Sequence, residues 1–184
     1  MVNFMASTYV LLSFHLLLGH CSSGSTNLTH NACKKAAKID PNFSYHFCVA
    51  HLEQNPKSKH AKTLQELGVI SIAIAKSKAS HTRSHIKKLL RNNTRFDSFA
   101  EGCLRDCLDL YSDAIQALKV ARSDFKSKDY DEADIQVSSA MEAPTTCEEG
   151  FGEKESEVHP LTKENKLFFK LAAISLAFTQ IVND

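Results

Sequence analysis

The sequence predicts an all-α protein, an up-down-up-down four-helix bundle preceded by an N-terminal α-helical hairpin, with two disulfides as staples. Three observations carry that expectation. Glycine and proline are scarce, six and four in 184 residues, and no stretch sustains the two-residue alternation of a half-buried strand. Four long segments instead repeat apolar residues at helical spacing. The cysteines fall where bridges would tie one predicted helix to another.

The elements follow in chain order. Residues 1 to 23 carry no charged side chain, and the apolar run from Tyr9 to Leu18 is too short to span a bilayer. This reads as a secretory leader ending among the small residues Cys21, Ser22, Ser23 and Gly24, so one domain is expected over 24–184. A hairpin at 28–56 comes first: Leu28 to Ile39, a break at Asp40-Pro41-Asn42, then Phe43 to Gln54, ending before Asn55-Pro56. The bundle is expected over 59–183. Its first helix, Lys59 to about Arg91, carries Leu64, Leu67, Ile70, Ile74, Ile86, Leu89 and Leu90, with a loosened point at Gly68. The second, about Asp97 to Lys126, sets Cys103, Cys107, Leu110, Ala114, Leu118, Ala121 and Phe125 along one stripe. The third, Asp131 to about Lys154, has Ile135, Val137, Ala140, Cys147 and Phe151 on its apolar face, and Pro144 should kink it by removing a backbone donor. The fourth, Thr162 to Val182, buries Leu167, Phe168, Leu171, Ile174, Ser175, Phe178 and Ile181, with Thr162 as its N-cap. Four amphipathic helices with short connections bury their stripes best as a bundle.

Three acceptor triplets for N-glycosylation, at Asn27, Asn42 and Asn92, agree with a secreted, extracellular destination. In that oxidising setting thiols pair rather than bind metal. With Cys21 lost in the leader, Cys33, Cys48, Cys103, Cys107 and Cys147 remain, an odd number. Cys33 and Cys48 lie in the two arms of the hairpin, where a bridge would contribute roughly 3 kcal/mol by loop closure. Cys107 and Cys147 lie on the apolar faces of two successive bundle helices, and their longer loop would contribute roughly 4 kcal/mol. Cys103 and Cys107 stand four apart on one helix, too far for a mutual disulfide, so one of the two is left over.

Charge excludes some classes of partner. The net charge of +1 argues against nucleic acid and against a basic membrane binder, leaving no membrane association once the leader is gone. Locally the charges separate: residues 68–96 hold seven basic residues and no acid, whereas 129–157 hold ten acids and one lysine. Solvated faces of neighbouring helices that attract each other are the simplest reading. His81 and His85 share a face with Arg83, Lys87 and Lys88 and read as surface residues with no carboxylate beside them, so no metal or other cofactor is expected. Nucleophile elbow, phosphate loop and paired-histidine zinc motifs are all absent. The chain therefore reads as a monomeric binding module and not an enzyme.

Several segments in the right order then resemble a known family, the plant invertase and pectin methylesterase inhibitors. They are "NACKKAAKIDPNFSYHFCVAHLEQNPKS" (31–58), "LGVISIAIAKSKA" (67–79), "LRDCLDLYSDAIQAL" (104–118), "TCEEGF" (146–151) and "LTKENKLFFKLAAISLA" (161–177). The resemblance implies an inhibitor of acid invertase or pectin methylesterase, and it maps the family's four cysteines onto Cys33 with Cys48 and Cys107 with Cys147. Cys103 falls outside that pattern. Invertase-inhibiting members carry Pro-Lys-Phe in the turn before the third bundle helix, which here reads Lys126-Ser127-Lys128-Asp129-Tyr130-Asp131. The tripeptide is absent, although Tyr130 stands near the aromatic position and Lys128 offers a cation. Lys128, Asp129 and Tyr130 are thus the expected centre of target binding. The wording "FKSKDY" and "LTKEN" resembles pollen-allergen members, which keeps open a stapled helical protein with no enzyme target.

Overall fold

The computed structural model describes residues 23–92, 96–154 and 159–183, with side chains from Asn27 onward. Most of the expected leader, with Cys21, and Asn93 and Thr94 of the third acceptor triplet lie outside the described residues. Among the described residues there are six α-helices: α1 Ser23–Ile39, α2 Tyr45–Glu53, α3 Leu64–Arg91, α4 Ser98–Ser127, α5 Tyr130–Gly152 and α6 Thr162–Asn183. There is no strand among the described residues. α3 packs on α4, α4 on α5, α5 on α6 and α6 back on α3, which closes the antiparallel ring of a four-helix bundle. α1 packs on α2 and lies against α6.

Local chemistry explains where the helices start. Ser44, Thr63, Asp97 and Asp129 each stand just before a helix, and each side chain accepts a first-turn N–H, from Phe47, Glu66, Ala100 and Glu132. Glu66 returns the favour at α3, its Oε2 accepting from the Lys62 N–H at 2.7 Å. Because Thr63 caps it there, α3 begins at Leu64 and not at Lys59; residues Ser58–His60 form a separate 3-10 turn. Thr162, in contrast, is no cap. It lies inside α6, and its hydroxyl donates to Glu148 Oε1 at 2.5 Å.

Packing corrects four further expectations. α4 centres its buried face on Leu104, Cys107, Tyr111, Leu118 and Phe125, whereas Cys103 and Leu110 sit half-buried at its rim, so the expected stripe is rotated by one residue over its first half. Ile135 is 59% exposed. The inward face of α5 is instead Ala133, Val137, Ala140, Pro144, Cys147 and Phe151, where alanines permit close approach and Ile135 points away. Pro144, where a kink is expected, is buried inside this helix, which is continuous from Tyr130 to Gly152. α3 is likewise continuous at Gly68: a β-carbon there would stand 2.1 Å from Phe125 Cζ, so the glycine makes room for an aromatic ring. Finally, the basic α3 and the acidic α5 are not neighbours but occupy opposite corners of the ring, giving the bundle two charged sides.

α6 is long and apolar enough to cross a membrane. Its run from Leu171 to Ser175 is buried throughout because α3, α5 and α1 all pack on it, the pattern of a central core helix.

Candidate target-binding surface

Two disulfides brace the fold. Cys33 is bonded to Cys48 across the hairpin, with Cα atoms 5.6 Å apart, and Cys107 to Cys147 across α4 and α5, with Cα atoms 5.0 Å apart. Cys103 stays outside both bridges, half-buried, with its Sγ 3.4 Å from the Gly150 carbonyl. Beside the second bridge lies a polar network built from three helices. The Tyr111 hydroxyl donates to Asn165 Oδ1 at 2.8 Å, and Asn165 Nδ2 donates to Glu148 Oε2 at 2.7 Å. Burial pushes the Tyr111 hydroxyl far above its ordinary range, so it remains a donor. Burial also works against the charge on Glu148, but hydrogen bonds from Thr162 and Asn165, with His159 3.3 Å away, outweigh it and hold this carboxyl below its usual range. On the far side of α6, His85 Nδ1 lies 3.1 Å from Glu164 Oε1, which overturns the expectation of a histidine without a carboxylate beside it.

The opposite end of the bundle carries the turn from α4 into α5. Phe125, seated against Gly68, meets the Tyr130 ring edge-on at 5.1 Å between centroids. Gln65 Nε2 donates to the Phe125 and Lys126 carbonyls, both at 3.3 Å, and so ties the turn to α3. Lys128 closes α4 in the left-handed region, φ 66° and ψ 22°, where a glycine would be unstrained. Asp129 is spent on capping α5. Lys128 and Asp129 are exposed and Tyr130 is half-buried, so the structure brings these three residues together on a short turn anchored from beneath. Burial, with Glu132 and Asp129 nearby, raises the Asp124 carboxyl above its ordinary range.

An apolar spot adjoins this turn, and sequence reading missed it. Val120 is 44% and Ile135 59% exposed. The antiparallel register that bonds Cys107 to Cys147 and sets Asp124 near Glu132 places Val120 level with Ile135. Exposed acids lie along the same two helices, Asp131 about one turn from Ile135 and Asp113 and Glu142 about two turns off, with Lys119 exposed beside Val120. The sequence signal for this spot was present, because Ile135 lies two positions from both Ala133 and Val137 and cannot share their face of a helix.

The acceptor asparagines are scattered. Asn27 lies within α1 and accepts from Asn31 Nδ2, Asn42 stands in the hairpin turn, and Asn92 follows the last residue of α3; all three are exposed. Among the described residues, no three histidine, cysteine or acidic side chains are placed to hold a metal ion.

The described residues thus form a disulfide-braced helical bundle with an anchored turn and two exposed apolar side chains on α4 and α5. The comparisons with known proteins name the family. Residues 27–178 match the model of the plant invertase/pectin methylesterase inhibitors, and the chain belongs to that family. It is 42% identical to a protein of Platanus acerifolia named "Putative invertase inhibitor", over 92% of this chain and 93% of that protein. It is 37% identical to Pectinesterase inhibitor 12 of Arabidopsis thaliana, over 94% of this chain and 97% of that protein. Among solved structures, a mutant form of a pectin methylesterase inhibitor from Arabidopsis superposes with a TM-score of 0.67 at 21% identity, over 86% of this chain and 97% of that one, which shows the shared helical-bundle fold. Proteins of this family are inhibitors, not enzymes.

Proposed function

We propose that the protein is a secreted, monomeric inhibitor of pectin methylesterase in the plant cell wall, and that it binds through the Lys128–Tyr130 turn together with Val120 and Ile135. The observation that supports the choice of target is the excess of acid in and just after α5, where residues 129–157 hold ten acids and one lysine. An enzyme that draws an acidic polysaccharide into its cleft benefits from positive potential there, and an acidic surface is complementary to it. The apolar pair then supplies the desolvated centre of the interface and the acids its rim. The extracellular location rests on the leader-like residues 1–23 and the acceptor triplets, for which Asn42 and Asn92, at helix ends, are the better exposed backbone.

Acid invertase is the second reading. It is favoured by the name of the Platanus relative and by Tyr130 in the turn where invertase-directed members carry an aromatic residue. Titrating each enzyme separately with the oxidised protein at mildly acidic pH decides between them. Stoichiometric loss of pectin methylesterase activity, with invertase unchanged, is expected; the reverse selects the second reading. If neither enzyme is inhibited, both readings fall and the stapled bundle without an enzyme target stands.

A further inference from the structure

A groove of about 430 Å³ opens on the basic side of the molecule, between the 3-10 turn, the start of α3 and the end of α4. Lys57, Arg122 and Lys126 stand on its walls and Ala61, Val69 and Ile70 form its apolar floor. Its polar uncharged group is engaged elsewhere: Gln65 donates to the backbone of α4. Its one acid, Glu66, is likewise occupied, accepting from the Lys62 N–H. Arg122 is different. Its Nε is buried and donates to nothing in the protein, which leaves a charged donor in the groove wall with an unfilled hydrogen bond. A buried donor in that condition is costly unless a ligand completes it.

The geometry points to a binding site for a uronate-bearing oligosaccharide chain. The walls ask for carboxylates presented in a row, because Arg122 and Lys126 stand one turn apart on α4 while Lys57 precedes the 3-10 turn, so the cations are held by two separate segments. The floor asks for apolar ligand surface between those carboxylates, which the C–H faces of sugar rings provide and a small inorganic anion does not. No Phe, Tyr or Trp lines the groove and His60 is the one ring among its lining residues, so it lacks the succession of stacking platforms that single-stranded nucleic acid uses. The groove lies on the α3–α4 seam, next to the turn that leads into α5. This inference does not rest on the inhibitor reading, and its test contains no enzyme.

The test is affinity electrophoresis of the full oxidised protein through gels containing de-esterified polygalacturonate, fully methyl-esterified pectin, or dextran sulfate. Retardation by polygalacturonate and none by the esterified chain is expected, with roughly tenfold weaker binding in the variant Lys57→Gln/Arg122→Gln. Lys57→Gln alone, at an exposed position, serves as the variant whose folding is not at risk, and it should weaken binding about threefold. Equal retardation by the esterified pectin would overturn the proposal. So would dextran sulfate binding that is as strong and as sensitive to the same substitutions, since that marks a general polyanion effect. Unchanged retardation in both variants would overturn it too.

Discussion

At the end of the bundle where α5 stops and α6 begins, Tyr111, Asn165, Glu148 and Thr162 hydrogen-bond to one another beside the Cys107–Cys147 bridge. At the other end Lys128 sits strained in the open, Asp124 keeps a buried oxygen without a partner, and Val120 and Ile135 face solvent. Both ends share α4 and α5, and α6 joins them only at the first. One satisfies its polar groups internally and gains rigidity; the other leaves them outward, which is how a binding surface departs from the rules that stabilise a core. The difference teaches that the stability of this fold and its recognition are carried at opposite ends of one helix pair, so each can be perturbed alone.

The largest expected effect lies at the bridged end. Cys107→Ser/Cys147→Ser releases a long loop in the unfolded chain and should cost about 4 kcal/mol, read as a lower midpoint in urea unfolding with the helical spectrum retained in water. Next comes the packing beneath the turn. Gly68→Ala gains helix propensity, but it drives a methyl group into the Phe125 ring and should destabilise by about 2 kcal/mol, with partial recovery in Gly68→Ala/Phe125→Leu. Full stability of the single variant would mean that the ring does not rest on Gly68.

The two ends should also answer acid with opposite sign. Glu148 titrates below its ordinary value of 4.5 when folded, so its contribution is complete above that value and is lost as pH falls through the lower folded one. Asp124 is raised above its ordinary 3.8, so its contribution is complete below that value and is lost as pH rises through the higher folded one. Melting temperatures followed from acid to neutral pH should therefore show Glu148→Gln flattening the fall below about pH 4.5, and Asp124→Asn raising stability near neutrality. The smallest effect is Lys128→Gly, which relieves left-handed strain and should stabilise by less than about 1 kcal/mol in the same melts.

Most of the fold was legible in the sequence because helical periodicity, Pro-Asn breaks and capping residues are local signals. Asp97 and the break at Asp40-Pro41-Asn42 mark real boundaries for that reason. What escaped is non-local. Asn165 reads as one polar residue in "LTKEN", and only the convergence of α4, α5 and α6 makes it the joint of a buried network. His85 meets Glu164 from a helix distant in sequence. Ile135 was misplaced because large apolar residues draw attention away from alanines, although Ala133 and Ala140 define the seam. Opposite charge on α3 and α5 suggested adjacency, but the order of packing is set by short connections and apolar stripes, and solvent-exposed charges are too weak to override them.

The central claim is that the Ile135 end of α5 touches the target enzyme while contributing nothing to the fold. The direct measurement is the inhibition constant of Ile135→Asp against pectin methylesterase, taken alongside its melting temperature. A loss of inhibition of roughly a hundredfold with unchanged melting is predicted, the size expected for a charge placed at the centre of an interface. Undiminished inhibition by that variant would contradict the account.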